Sequence, residues 1–441
     1  MTTYDLCLAR NWEYDADFVA LSSAACDRHG LTFFEVTPAT LSETLARITS
    51  GELTFRAFFD RASDNDPAFL PLVEWATAHV PCRVNPFAAA RRAWDKATMH
   101  LEFITAGLYT PYTIILPPYD EQPNLSSPDL TPLGERFSIK PAHGGGGVGV
   151  VNEAQAWAQV TTARQKFPAD KYLLQERITP ATIGGHRAWF RVIYSCCQIF
   201  PCWWDDQTHI YTPITPSEEK LYNLGRLREM AVIIARVCGL QLFSTEIAWT
   251  TDGRLLSVDY VNDPIDLRLK SRAAEGVPDE HVTAIADCLA GWVAEQIRPH
   301  VRPATEADLP VMMRLCEELG RPHAEPANAC VTNVYREHLA DPAHLVLIAE
   351  LGGQVVGLAA CTFRSRLNWP TRELWIADLI VTESARGHGV GRAIMNQVLT
   401  RARQAGCHRI ALESGHQRRI AHQFYQSLGF EDRGIYFVMH L

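Results

Sequence analysis

The sequence predicts a multidomain protein of α/β and α+β class, on three observations. A chain of 441 residues exceeds what one hydrophobic core ordinarily organises, so two or three domains are expected. With 47% hydrophobic and 21% charged residues, its composition is that of a folded globular protein. The rhythm of strand-like and helix-like segments also changes near residues 95 and 300, which sets the domains at 1–95, 96–300 and 301–441.

The elements follow in order. YDLCLAR reads as a strand, and a helix from about Asp15 to His29 is closed by Gly30. LTFFEV is a second strand, residues 40–50 a helix and LTFRAFFD a third strand, the alternation of a small parallel sheet. PCRVNPFAAARRAWDK leaves through a proline turn into a helix, and Asp95-Lys96 opens the next. Residues 117–132, polar and proline-rich, read as an exposed loop before the strand FSIKPA. RAWFRVIYSCCQIF reads as antiparallel strand, with a helix from about Pro216 to Cys238 ended by Gly239. LFSTEIAWT and RLLSVDY are strands joined by the turn Thr251-Asp252-Gly253. Past residue 300 come a short strand, a helix begun by Thr305, a hairpin of LVLIAELGG with QVVGLAACTF, and a strand ending at Val381.

The 41 basic and 50 acidic residues leave a formal charge of −9, which argues against nucleic acid as a partner. No apolar run is long enough for a membrane span, and the first residues lack the pattern of a secretory signal. The 12 cysteines include no C-x-x-C pair, and Cys196, Cys197 and Cys202 fall in an apolar, strand-like run. A reducing cytoplasm fits these features, with small molecules as partners and room for a homo-oligomer.

Chemistry-bearing residues in the first two thirds come in a definite order. Lys96 is followed by Lys140, which ends a strand and runs into Pro141-Ala142-His143-Gly144-Gly145-Gly146-Gly147. Two lysines can neutralise a polyphosphate while a glycine loop folds over it. YLLQERI supplies Gln175-Glu176-Arg177-Ile178 at a strand end, and Arg187 and Arg191, four apart, are expected on one face of one strand. Glu246 and Asp259 lie on neighbouring strands with Asn262 just beyond, an oxygen set suited to Mg²⁺. Trp203, Trp204 and Arg268 are further residues with which a pocket could be lined.

In this order the residues resemble the ATP-grasp superfamily over roughly residues 1–297. The resemblance implies a small α/β domain preceding an ATP-grasp fold, with Lys96 and Lys140 on the phosphates of ATP and the glycine loop at 143–147 as their lid. It places the adenine hinge at Gln175–Ile178, gives Glu246, Asp259 and Asn262 to Mg²⁺ or Mn²⁺, and lets Arg191 help place the phosphates. The family usually ends with an acid, one residue and asparagine, whereas two residues separate Asp259 from Asn262 here, so Asp263 stands as the alternative ligand.

In the last third, Arg386-Gly387-His388-Gly389-Val390-Gly391-Arg392 opens a helix after the strand that ends at Ile380-Val381. Backbone amides freed of side chains at a helix N-terminus suit a pyrophosphate. The pattern is R-x-x-G-x-G, and AHQFYQSLGF follows some 30 residues later. Together these resemble the GNAT N-acetyltransferases over residues 301–441, which implies a mixed sheet and acetyl-CoA as donor. By that resemblance Arg386 to Arg392 hold the CoA pyrophosphate, the backbone of Ile380 and Val381 the pantetheine arm, and Tyr425 protonates the departing thiolate. The asparagine common in the family three residues before Ala421 is Arg418 here. Glu373 and Asp378, on the strand before the loop, are the candidates for accepting the amine's proton.

The two resemblances together imply a bifunctional enzyme. An ATP- and Mg-dependent carboxylate–amine ligase would be coupled to acetyl-CoA-dependent N-acetylation of a small molecule derived from an amino acid or peptide. The alternatives are a ligase regulated by a non-catalytic, acyl-CoA-sensing C-terminal domain, and an enzyme that modifies proteins.

Overall fold

A computed structural model describes residues 2–323, 328–434 and 439. The chain divides into two compact units, Met1–Ala294 and Glu295–Leu441. Among the described residues no helix is long and apolar enough to cross a membrane.

The first unit opens with β1 (Thr2–Arg10), α1 (Ala16–Arg28), β2 (Phe33–Val36), α2 (Leu41–Thr49), β3 (Leu53–Arg61), α3 (Leu70–His79) and β4 (Cys82–Val84). The strands form one parallel sheet in the order β2-β1-β3-β4. Its core is built from both strand and helix residues, including Cys7, Phe58, Ile48, Phe69 and Leu72. The sequence reading lacked α3 and β4; β4 is only three residues long and ends at the Pro86 turn, too short for an alternating pattern to show.

Next come α4 (Phe87–Trp94) and α5 (Lys96–Thr105). An antiparallel sheet of order β5-β8-β6-β7 is formed by β5 (Thr113–Leu116), β6 (Phe137–Pro141), β7 (Val151–Ala154) and β8 (Tyr172–Glu176), and α6 (Trp157–Arg164) helps close its core. The proline-rich stretch before β6 is tied down by the buried Arg164, which donates to the carbonyls of Pro117, Pro118 and Gln122.

A small ladder, β9 (Thr182–Ile183) with β10 (His186–Arg187), leads into a five-stranded antiparallel sheet. Its order is β13-β12-β11-β14-β15, from β11 (Trp189–Ser195), β12 (Gln198–Trp204), β13 (Tyr211–Pro213), β14 (Leu242–Trp249) and β15 (Leu255–Asn262). Two expectations are corrected here. Cys196 and Cys197 are not in a strand: they form the β11–β12 turn, with φ of 46° and 75°. The helix expected over 216–238 is two helices, α7 (Pro216–Leu221) and α8 (Arg226–Cys238), parted where Asn223 takes a left-handed φ of 54°. The buried face of α8 joins Phe190, Phe243 and Tyr260 in one core.

After α9 (Asp279–Ile297), the second unit consists of β16 (His300–Pro303), α10 (Leu309–Glu318), α11 (Ala329–Ala340), β17 (His344–Leu351), β18 (Gln354–Arg364), β19 (Glu373–Val381), α12 (Val390–Gln404), β20 (Arg409–Leu412) and α13 (Arg419–Ser427). The sheet, ordered β16-β17-β18-β19-β20, is antiparallel except for the parallel pair β19–β20. It is mixed, as expected, and buries residues on both faces: Ile394 and Val398 of α12 lie in one cluster, Met312 and Leu315 of α10 in the other.

Candidate functional site

In the first unit the residues singled out above converge on a cavity of about 620 Å³. Lys96, Lys140, Gly144 to Gly147, Gln175 to Ile178, Arg187, Glu246, Asp259 and Asn262 all line it.

Local structure explains how they arrive there. Asp95 caps α5 by accepting from the backbone of Ala97 and Thr98 (3.0 and 3.2 Å) and is itself held by Lys171 (2.7 Å). Lys96 therefore sits in the first turn, where its backbone N–H donates to the Ala142 carbonyl at 2.9 Å and its ammonium to the Gly144 carbonyl. Gly144, Gly146 and Gly147 have φ of 103°, 61° and 75°, a region costly for any residue with a Cβ. A Cβ at these positions would meet no protein atom, so the glycines serve the backbone path rather than internal packing. At Gly149, by contrast, a Cβ would lie 2.6 Å from the Phe167 ring. His143 does not line the cavity; its Nδ1 pairs with Asp170 at 2.8 Å and its N–H donates to the same carboxylate, which anchors the root of the loop.

The carboxylates face each other across β14 and β15, where Glu246 and Asp259 are direct partners at a register shift. Glu246 accepts from Arg191 Nη1 (2.5 Å) and Trp189 Nε1 (3.1 Å), while Asp259 accepts from Asn262 (3.0 Å). Burial pushes the Glu246 carboxyl up against the pull of Arg191. Burial would raise Asp259 as well, but Lys96, Lys140 and Arg191 together hold it below its ordinary value.

The two arginines expected on one strand face are separated. Arg187 ends β10, and the Trp189 that opens β11 is the first residue of a different ladder. Arg187 lines the cavity in a bidentate pair with Asp206 (3.1 and 3.0 Å), whereas Arg191 is absent from the lining and supports Glu246. Trp203, Trp204 and Arg268 do not line the cavity either; both tryptophans are core residues. Sequence reasoning missed Glu153, Trp189 and Asp206 as lining residues. Glu153 holds Arg136 and Arg177, and its left-handed φ of 61° is not something a glutamate announces.

In the second unit β20 pairs with β19 over Glu373–Ile376, and among the described residues no strand pairs with Ala377–Val381 on that side. The turn after Val381 is held by Arg386, whose Nε donates to the Val381 carbonyl at 3.1 Å. Gly387 and Gly389 have φ of 82° and 80° with open space where a Cβ would stand, and Gly389 caps α12. His388 Nδ1 lies 3.0 Å from the Arg386 carbonyl. A Cβ on Gly391 would lie 3.3 Å from Phe424, so α13 packs close against the start of α12 and brings the adjacent Tyr425 with it. Burial raises the Tyr425 phenol, with Arg418 pulling the other way.

Of the two candidate bases, Glu373 is corrected. Its side chain is 0% exposed and is gripped by Arg366 (2.9 Å) and Arg409 (2.7 Å), so it is a structural counter-ion closed to a substrate amine. Asp378 is paired with Arg321 at 2.5 Å, opposite the bulge at Ala360/Cys361.

Residues 312–430 match the model of the acetyltransferase (GNAT) family. Among curated proteins, this chain is 35% identical over 91 residues to N-acetyltransferase family 8 member 2 of Rattus norvegicus, spanning 21% of this chain and 40% of that protein. It is 43% identical over 58 residues to an uncharacterized N-acetyltransferase of Bacillus subtilis (strain 168), covering 13% of this chain and 41% of the other. A transcriptional regulator of known structure from Bacillus halodurans C-125 is 27% identical, with a TM-score of 0.31, over 33% of this chain and 100% of its own. The chain thus spans about 40% of the length of these two curated relatives. The likeness falls on the unit whose strand, glycine turn and helix were described above, and residues 312–430 are a GNAT acetyltransferase domain.

Proposed function

We propose that the chain is bifunctional: residues 1–294 ligate a carboxylate to an amine at the expense of ATP, as an ATP-grasp enzyme does, and the GNAT domain transfers an acetyl group from acetyl-CoA to an amine. The observation that carries the ligase reading is the single cavity of about 620 Å³ shared by both lysines, the glycine loop, the strand end at Gln175–Ile178 and the paired acids.

The donor set fits Mg²⁺ or Mn²⁺ arriving with a nucleotide. Glu246 and Asp259 offer two carboxylates and Asn262 an amide oxygen, and no cluster of three or more His, Cys, Asp or Glu side chains among the described residues would hold a cation unaided. One or two carboxylates plus phosphate oxygens is the usual Mg²⁺ complement. When bound, the metal would supply charge neutralisation on the phosphoryl oxygens. The protein's own part is to bind the phosphates through Lys96 and Lys140 and to cover them with residues 144–147. The backbone at Gln175–Ile178 would seat the base. Phosphoryl transfer to a carboxylate and attack by an amine would then give an amide, ADP and phosphate. Arg191 acts through Glu246, holding it with its charge toward the cavity.

In the GNAT domain the amides around Gly387–Gly391 would bind the CoA pyrophosphate, and the backbone of β19 at Ile380–Val381 the pantetheine arm. Tyr425, kept protonated by its raised pKa, would donate to the leaving thiolate. Asp378 is the candidate acceptor for the amine's proton. Small molecules related to amino acids are the proposed substrates of both reactions.

The test follows phosphate and free thiol together, with Mg-ATP, acetyl-CoA and pooled amino acids. Lys140→Ala should silence phosphate release alone, and Tyr425→Phe thiol release alone. Phosphate release indifferent to every amino acid offered would sink the ligase reading.

A further inference from the structure

A line of buried hydrogen bonds runs away from the cavity behind Lys140. The Lys140 ammonium donates to Gln175 Oε1 at 2.8 Å, Gln175 Nε2 lies 3.0 Å from the Tyr260 hydroxyl, and that hydroxyl lies 2.7 Å from His100 Nδ1. Gln175, Tyr260 and His100 are only 2%, 2% and 4% exposed.

The first links have a fixed direction. An ammonium can only donate, so the Gln175 oxygen must face it and the amide must donate onward, to Tyr260 and more weakly to Thr113 at 3.3 Å. Tyr260 accepts from Gln175 and, beside a neutral imidazole, gives its own proton to His100 Nδ1. A neutral His100 with its proton on Nε2 supplies that acceptor. Burial, which pushes this imidazole down to about 4, agrees. Edge contact with Phe103, ring centroids 5.3 Å apart, fixes the Tyr260 ring.

The four members come from β6, β8, β15 and α5, and each stands beside a residue of the cavity. Gln175 begins the strand end at 175–178, Tyr260 follows Asp259, and His100 lies one turn after Lys96. We propose that Gln175, Tyr260 and His100 are positioning residues that hold the Lys140 ammonium in place and lock together the four elements carrying the phosphate and metal groups. The consequence for nucleotide affinity rests on the ligase reading; the relay itself does not.

The full-length chain and its Tyr260→Phe, His100→Leu and His100→Gln variants would be treated with an amine-acylating reagent and labelling followed peptide by peptide in the mass spectrometer. Breaking the relay frees the ammonium, so Lys140 should label roughly threefold to fivefold faster in Tyr260→Phe and His100→Leu, while the exposed Lys166 is unchanged. The double variant should be no faster than either single one, and His100→Gln, which retains an acceptor, should approach the parent. Unchanged Lys140 labelling, or a rise shared by all lysines, would overturn the proposal. Calorimetry with Mg-ATP then tests the consequence, a roughly fivefold weaker Kd in Tyr260→Phe with little change in Tm. A parent chain that binds no adenine nucleotide would overturn the ligase reading and leave the labelling result to decide the relay.

Discussion

Replacing Glu246 by glutamine tests the acid pair at the centre of the proposed ligase site. Glu246 is 17% exposed and Arg191 14%, so their ion pair is shielded from solvent and little discounted by screening. Glutamine keeps an oxygen for Arg191 and removes only the charge, while the Ser244 hydroxyl (3.1 Å) and the Trp204 face still support the guanidinium. A cost of about 1–2 kcal/mol is expected for downgrading a charge-assisted bond, against about 3–5 kcal/mol for Glu246→Ala, which strands a buried cation. Loss of a carboxylate ligand should lower phosphate release at least about hundredfold, or roughly 2.7 kcal/mol of transition-state stabilisation. Urea unfolding and Mg-dependent phosphate release would be measured on parent, Glu246→Gln and Glu246→Ala. Acetyl transfer serves as internal control, since the GNAT domain has its own core. Parent-like phosphate release by a folded Glu246→Gln protein at saturating Mg²⁺ would refute the metal assignment.

Tyr425→Phe should lower thiol release by about 10²-fold or more in a protein that still binds CoA, as single-turnover measurements with a chromogenic thiol reagent would register. Glu373→Ala should cost the GNAT unit about 1–2 kcal/mol, since Arg366 and Arg409 lose their shared partner but are half exposed and take up water; the more conservative Glu373→Gln should leave the pH profile of acetyl transfer unmoved, and a shifted profile would reinstate it as a base. Asp308, bonded to Arg302 and to the backbone and hydroxyl of Thr305, is held near 2 against an ordinary 3.8. A depressed carboxyl contributes stability above its unfolded pKa and loses it as pH falls. Acid unfolding of the parent should therefore steepen between about 4 and 2, and Asp308→Asn should flatten that window.

What was legible in the sequence is what the backbone writes locally. Gly144, Gly146, Gly147, Gly387 and Gly389 mark conformations that other residues resist, and the strands before them, one alternating and one apolar, place Lys140 and Val381 near strand ends. Asp95 announces a helix start because a cap lies within three residues of the groups it satisfies; the Thr305 side chain makes no such cap, and a 3-10 turn over Glu306–Asp308 stands between it and α10. The failures share the opposite property. Glu373 reads like any strand carboxylate until Arg366 and Arg409 close over it, and the second of these is 36 residues away. Arg187 and Arg191 were assigned one face by counting in twos, but the count holds only inside an unbroken strand, and β10 and β11 are separate ladders. His100 and Tyr260 lie 160 residues apart, and neither residue type at its own position carries a sign of the other. Lys140 shows the division within one side chain: local pattern places its backbone at the end of β6, whereas three buried groups from three other elements aim its ammonium. A sequence motif can therefore locate a cavity lysine without revealing what makes its position precise.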